Sequence, residues 1–374
     1  MHYRRFGKTN LNLSVFSLGT MRCLASESVM AETVHQAITL GINHIETARG
    51  YGNSEVYLGK VLQNIDRENY YLTSKICPTD NPTQLREQIE DSLRRLQVDY
   101  LDCLALHGIN TEDHFKLITG PNSCLKEIEK LLNQGKIRHL GFSTHGSLEL
   151  ILKTIKTNLF EFINLHYYYF FQRHNEAINL AQKKDLGVFI ISPADKGGQL
   201  YTPSEQLQKL CEPFTPLALN YRFLLSDRRI TTLSVGPANA SELIEPLAVA
   251  DQDYSLTAEE RKIFEQLEKH QAETLESDRC RQCYQCLPCP EAIQIPEVLR
   301  LRNLAIAYNM TDFGQYRYRM FENAGHWFPG QKGDRCTDCG ECLPRCPEKL
   351  DIPTLLRDTH QRLNGSPRRR LWET

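Results

Sequence analysis

From about residue 13 to residue 251, short apolar runs alternate with segments whose apolar residues recur at helical spacing, and the alternation completes eight cycles. The runs are VFSLGT (15–20), INHIET (42–47), YYLTSK (70–75), YLDCLALH (100–107), IRHLGFS (137–143), FINLHY (162–167), GVFIIS (187–192) and ITTLSVG (230–236), and each predicts a buried parallel strand. The intervening segments predict crossover helices. In LREQIEDSLRRL (85–96), for example, Leu85, Ile89, Leu93 and Leu96 share one face. Eight βα units in about 240 residues are the content of a TIM (β/α)8 barrel. A doubly wound sheet would show fewer units and a glycine-rich turn after its first strand, whereas the first strand here ends Leu18-Gly19-Thr20-Met21 without a dinucleotide fingerprint.

A further helix is predicted at 257–273, where Thr257 stands in position to cap it. Beyond it the composition changes. Of thirteen cysteines, five are scattered before residue 212 and eight fall in two clusters after residue 279. The segment repeats internally: CPEAIQIPEVLR (289–300) matches CPEKLDIPTLLR (346–357), which predicts two halves about a pseudo-twofold axis. In each half a proline, Pro296 or Pro353, stands where a helix begins, since the first helical position needs no N–H. The chain thus divides into a barrel over 1–275, a small, mainly α-helical cysteine-rich domain over 276–364 and a basic tail over 365–374. The Arg368–Arg370 run reads as part of a solvated tail.

At 41% hydrophobic and 24% charged residues, the composition is that of an ordinary globular protein. A net charge of -2 provides no basic field for phosphates, so nucleic acid is not an expected partner. The opening MHYRRFGKTNLNLSV has no apolar signal region, and no later stretch has the roughly 18 apolar residues a membrane span needs. The expectation is a cytoplasmic protein with no membrane partner. In a reducing compartment closely spaced thiols point to metal rather than disulfides.

The clusters are Cys280-x2-Cys283-x2-Cys286-x2-Cys289-Pro290 and Cys336-x2-Cys339-x2-Cys342-x3-Cys346-Pro347. The second has the spacing of bacterial ferredoxins, in which three thiolates hold one 4Fe-4S cluster and the fourth reaches the other. That resemblance implies two 4Fe-4S clusters, one on Cys280, Cys283, Cys286 and Cys346, the other on Cys336, Cys339, Cys342 and Cys289. The first motif is one residue shorter before its last cysteine. A pair of four-cysteine zinc sites is the alternative, although these place two C-x2-C steps far apart. The linker between Cys289 and Cys336 is long and partly helical, so the domain resembles the α-helical ferredoxins.

In a TIM barrel the chemistry sits at the carboxyl ends of the strands. The second strand there offers Glu46 with Tyr51 after it, the third Lys75 and the fourth His107, all on one side of one mouth. Through HIETARGYGNSE (44–55), YLTSK (71–75) and LDCLALH (101–107) the chain resembles the aldo-keto reductases. The resemblance implies that Tyr51 is the general acid that protonates a carbonyl oxygen as a nicotinamide cofactor, NADP(H) or NAD(H), delivers hydride. Lys75 would stabilise the tyrosinate, Glu46 would hold Lys75, and His107 would orient the carbonyl. The family has aspartate where this chain has Glu46. Arg49 is open to two readings, contact with an anionic substrate or an exposed loop residue.

The resemblance also places Ser143 and Asn164 at the nicotinamide carboxamide. The segment holding Gly236, Ala238, Asn239 and Ser241 opens the predicted eighth helix, whose N–H groups suit a phosphate, and its alternative reading is a plain helix cap. GPANASELIEP (236–246) has no basic residue for a 2′-phosphate, and FIISPADKGG (189–198) lacks the family's aromatic partner for the nicotinamide ring. Tyr167, Tyr168, Tyr169, Phe170 and Phe171 line a pocket or pack the barrel rim, and aromatic area favours the rim. The expected function is reduction of a small aldehyde or ketone, with the clusters relaying electrons to a one-electron redox protein or stabilising the fold. An electron-transfer or redox-sensing module that binds a nucleotide without turnover is the alternative.

Overall fold

A computed structural model describes residues 1–121, 123–253 and 255–367. The Arg368–Arg370 run, and the predicted basic tail from 368 onward, lie outside the described residues. A short antiparallel hairpin, β1 (Tyr3–Arg5) and β2 (Asn12–Ser14), precedes the barrel. Eight parallel strands then close on themselves: β3 (Phe16–Gly19), β4 (His44–Glu46), β5 (Tyr71–Ile76), β6 (Leu101–His107), β7 (Ile137–Ser143), β8 (Phe162–Leu165), β9 (Gly187–Ile190) and β10 (Thr232–Val235). Each of the eight apolar runs forms one strand of this barrel, β10 pairing with β3 to shut it.

Local chemistry sets the helices between them. Asn81 caps the helix Pro82–Leu96 by accepting from the Gln84 N–H, Pro82 takes the first helical position, and Gln97 ends the helix at φ 54°. The four apolar residues read as one face, Leu85, Ile89, Leu93 and Leu96, are buried. The helix Ala258–Leu275 opens with a capping box, Thr257 and Glu260 each bonding the other's backbone N–H.

The barrel is filled in layers. At its floor the hairpin's Phe6 and Leu13 pack with Cys103, Ala105, Phe162 and Phe189. Gly187 admits Phe6: a Cβ at that position would meet the ring at 2.2 Å. Above this layer runs a polar chain, Thr232 Oγ1 to Ser17 Oγ at 2.7 Å, Ser17 Oγ to His44 Nδ1 at 2.6 Å, and His44 Nε2 to Thr73 Oγ1 at 2.7 Å. Both ring nitrogens of His44 are bonded, which is what lets a histidine sit wholly inside a barrel.

Burial, aided by the Lys75 charge, pushes the His44 imidazole down to about 3. The unfolded chain therefore takes up this proton first as pH falls. Stability from a neutral His44 is complete above about pH 6.5 and is lost toward pH 3, at about 1.4 kcal/mol per pH unit. Between pH 7.5 and 4.5, urea unfolding of the wild type is expected to lose roughly 2–3 kcal/mol more than that of His44→Asn. Equal losses would show that His44 is not held neutral.

The chain forms two compact units, residues 1–197 with 220–255, and residues 198–219 with 256 onward. The second gathers three helices, Ile295–Tyr308, Thr311–Tyr318 and Ile352–Leu363, and the first and third begin at the repeated Ile-Pro pair, as predicted. The helix Ala258–Leu275 and the segment 198–219 also belong to this unit. Tyr308 Oη donates to Leu267 O at 2.8 Å, and Ser204 Oγ donates to Tyr308 O at 2.5 Å. Gln206 Nε2 donates to Ala307 O at 3.0 Å.

Candidate active site and cysteine-rich centre

Side chains alternate along a strand, so a residue at a strand's carboxyl end either enters the barrel or leaves it. Glu46, Lys75, His107, Ser143 and Asn164 stand at or next to those ends, with Ser143 paired in register to both His107 and Asn164. Lys75 Nζ lies 2.7 Å from Glu46 Oε1 and donates to Thr47 O at 2.9 Å. The pair is 2% and 4% exposed. Burial lowers the lysine's proton affinity, but the Glu46 charge and Tyr51 outweigh it and hold the ammonium above its ordinary range.

Tyr51 sits in the loop after β4. Lys75 Nζ stands 4.9 Å from its ring centre, and His107 meets it edge to face at 5.9 Å. The loop is tied down by the residues that follow. Ser54 Oγ bonds Thr47 Oγ1 at 2.8 Å and donates to Thr20 Oγ1 at 2.7 Å, while Glu55 accepts from Ser74 Oγ at 2.7 Å. Gly52 supplies the positive φ of 54° that the turn requires. The Ser-Glu pair of YGNSE thus fixes the tyrosine to three strands.

Asn164 is fully buried; its Nδ2 donates to Glu46 Oε1 at 2.9 Å, and its Oδ1 has no hydrogen-bond partner. Ser143 Oγ accepts from the Gly108 N–H at 3.1 Å. An unmatched acceptor in the layer of the Lys75–Glu46 pair fits a primary carboxamide, which brings N–H donors.

The segment after β10 is less open than its sequence suggested. The Ala238 N–H donates to Glu242 Oε2 at 3.0 Å, and Glu242 pairs with Arg22 at 2.8 Å. Arg22 also donates to Gly236 O at 2.9 Å, and Asn239 Oδ1 accepts from both the N–H and the hydroxyl of Ser241. In place of a full eighth helix there is a 3-10 turn, Ala240–Leu243, and a single turn of α-helix, Ile244–Leu247, with Pro246 inside it. Arg49 pairs with Asp91 at 3.1 Å. Tyr167 and Tyr168 are buried, Tyr167 stacking on Phe223 at 5.8 Å, so these two pack the barrel while Tyr169, Phe170 and Phe171 are half-buried.

One cluster at the mouth was not anticipated. His166 Nε2 lies 3.1 Å from His145 Nδ1, His166 Nδ1 bonds the Tyr168 hydroxyl, and that hydroxyl donates to Ile191 O at 2.5 Å. Both histidines sit two residues past a barrel position already singled out, Ser143 and Asn164, and that spacing was the available signal.

In the second unit Cys289, Cys336, Cys339, Cys342 and Arg345 line one pocket. Burial pushes the Cys280 thiol up to about 11, with Cys283 and Cys346 near enough to add to the shift. Cys286 rises to about 12 for the same reason, with Cys280, Cys283 and Cys342 adding. Cys289 thus shares a pocket with the second triplet, and Cys346 lies within electrostatic reach of Cys280. Among the described residues no three Cys, His, Asp or Glu side chains converge as on a single ion. The second set lines one pocket, as four thiolates that hold one cluster would.

A model of the Aldo/keto reductase family matches residues 16–269, and a model of a 4Fe-4S dicluster domain matches residues 279–351. Among similar proteins, the Bacillus subtilis oxidoreductase YqkF is 25% identical over 61% of this chain and 76% of its own. L-galactose dehydrogenase of Arabidopsis thaliana is 26% identical over 70% and 92%. The NADH-specific methylglyoxal reductase of Escherichia coli is 26% identical over 51% and 67%. Among solved structures, the aldo-keto reductase AKR11C1 of Bacillus halodurans shares the fold with a TM-score of 0.61 at 24% identity, covering 71% of this chain and 95% of that one.

Proposed function

Because the chain belongs to the aldo/keto reductase family and carries a 4Fe-4S dicluster domain, we propose that it reduces a small aldehyde or ketone with a nicotinamide dinucleotide. The observation that carries this reading is the buried, charged Lys75–Glu46 pair, whose Lys75 Nζ stands 4.9 Å from the centre of the Tyr51 ring. A free phenol ionises near 10, too weakly acidic for ready proton transfer at neutral pH. The Lys75 charge favours the tyrosinate, so Tyr51 gives its proton to the carbonyl oxygen and is reprotonated from solvent. His107, edge-on to the tyrosine, holds the carbonyl by hydrogen bond. When bound, the nicotinamide ring supplies the hydride that completes the alcohol. Asn164 and Ser143 would hold its carboxamide, and the segment with Gly236, Ala238, Asn239 and Ser241 would take the phosphates.

The Glu242 carboxylate already occupies the Ala238 N–H of that segment, and its charge opposes a 2′-phosphate. NADH is therefore the expected cofactor. Glu242 is 38% exposed and its field is screened, so Glu242→Gln is expected to tighten NADPH only about two- to fivefold, leaving NADH unchanged. A titration showing NADPH already favoured in the wild type would contradict this.

Each cysteine triplet holds one 4Fe-4S cluster with the fourth ligand crossed, Cys346 serving the first and Cys289 the second. Such clusters supply one-electron exchange. A hydride moves two electrons at once, so carbonyl reduction does not need them. Cys283 and Cys339 are exposed, so clusters held there would lie within reach of a one-electron redox protein. Among the described residues no helix is long and apolar enough to cross a membrane. The test is anaerobically purified protein mixed with NADH and a 2-oxoaldehyde. Loss of NADH absorbance matched by alcohol supports the reading, and no loss with either NADH or NADPH overturns it.

A further inference from the structure

We propose that Glu46 is a positioning residue for the cofactor as well as for Lys75: it fixes the orientation of the Asn164 amide and so dictates that the ligand brings an N–H donor. This rests on the nicotinamide reading above. An ionised carboxylate can only accept hydrogen bonds, so the amide end 2.9 Å from Glu46 Oε1 must be the NH2. The amide is planar, and its oxygen is therefore turned to the opposite side. That oxygen is buried and unpartnered, and among the described residues Glu46 is the partner of the Asn164 side chain. A buried acceptor without a donor is a costly arrangement that a ligand's N–H relieves.

The same Glu46 oxygen takes Lys75 Nζ at 2.7 Å and Asn164 Nδ2 at 2.9 Å. Side chains from β4, β5 and β8 thus meet at one atom, although β8 is not a neighbour of β4 or β5 in the sheet. Reach decides the bridge. An aspartate at 46 would set the carboxylate back by about 1.5 Å, one C–C bond. Lys75 would keep its bond to Thr47 O and a nearby carboxylate, whereas Asn164 would lose its anchor. The longer side chain therefore links the proton-donor pair to the carboxamide subsite, and a shorter one uncouples them.

The test compares calorimetric titrations of wild type, Glu46→Asp, Asn164→Ala and the double variant with NADH. The same set is titrated with the NADH analogue whose carboxamide is a methyl ketone and has no N–H. Wild type is expected to bind NADH about tenfold more tightly than the analogue, the value of one hydrogen bond to a buried acceptor. Glu46→Asp and Asn164→Ala are each expected to erase that preference, with the double variant no worse than Asn164→Ala alone. An unchanged preference in Glu46→Asp, or additive losses in the double variant, would overturn the proposal while leaving carbonyl reduction intact. Failure of wild type to bind NADH and NADPH alike would overturn the nicotinamide reading and this proposal with it. Should Glu46→Asp fold poorly, Asn164→Ala with the two dinucleotides still decides whether the unpaired oxygen selects the donor.

Discussion

Tyr51→Phe is expected to lower kcat for carbonyl reduction by about 10²–10⁴-fold while NADH binds as before. The substitution removes only the hydroxyl. The ring keeps its edge-to-face contact with His107 and its place above Lys75 Nζ, and Ser54 and Glu55 still tie the loop to the barrel. The lost function is then the proton delivered to the carbonyl oxygen, since Lys75 and His107 remain but neither occupies the phenol's position. Steady-state kinetics under argon, paired with a cofactor titration, separates the two effects. A kcat within tenfold of wild type would mean that another group gives the proton, and the His145–His166–Tyr168 chain at the mouth would be the first place to look.

The second large effect is expected at Cys346. On the crossed ligation proposed above, Cys346→Ala removes the fourth ligand of the first cluster, so iron should fall from about eight to about four per chain. The remaining spectrum should match that of Cys283→Ala and differ from that of Cys339→Ala. The basis is spatial: Cys289 shares a cavity with Cys336, Cys339 and Cys342, while Cys346 lies close to Cys280. Ligation within each motif would give the opposite grouping, with Cys346→Ala resembling Cys339→Ala. Zinc in place of iron would leave the protein colourless and remove the basis for both outcomes.

Much of this architecture was legible because it depends on pattern. Parallel strands buried on both faces need continuous apolar runs, and eight such runs became β3 to β10. Strand-end position and the aldo-keto reductase resemblance singled out Glu46, Lys75, Tyr51 and His107, and the Lys75–Glu46 pair is a contact between adjacent strands. Contacts that cross the barrel were not legible. Asn164 lies 118 residues from Glu46, and whether their side chains touch depends on one methylene. The Arg22–Glu242 pair is similarly remote, and nothing in GPANASELIEP announces that its own glutamate takes a loop N–H. The predicted eighth helix shrank because Pro246 interrupts a segment too short to recover its lost hydrogen bonds. Segment 198–219 has no cysteine cluster and no repeat, and it is its packing on Ala258–Leu275 and its bonds to His270, Ala307 and Tyr308 that reveal which compact unit it joins.

If hydride passes straight to the carbonyl carbon in the barrel, no electrons need travel through the clusters on the way to the alcohol. Turnover with NADH carrying deuterium on the transferred position of C4, in ordinary water, distinguishes the two routes. The predicted result is an alcohol bearing one deuterium on the former carbonyl carbon and none elsewhere. Alcohol formed without deuterium at that carbon would show that the electrons and the proton arrived separately, and direct hydride transfer in the barrel would be ruled out.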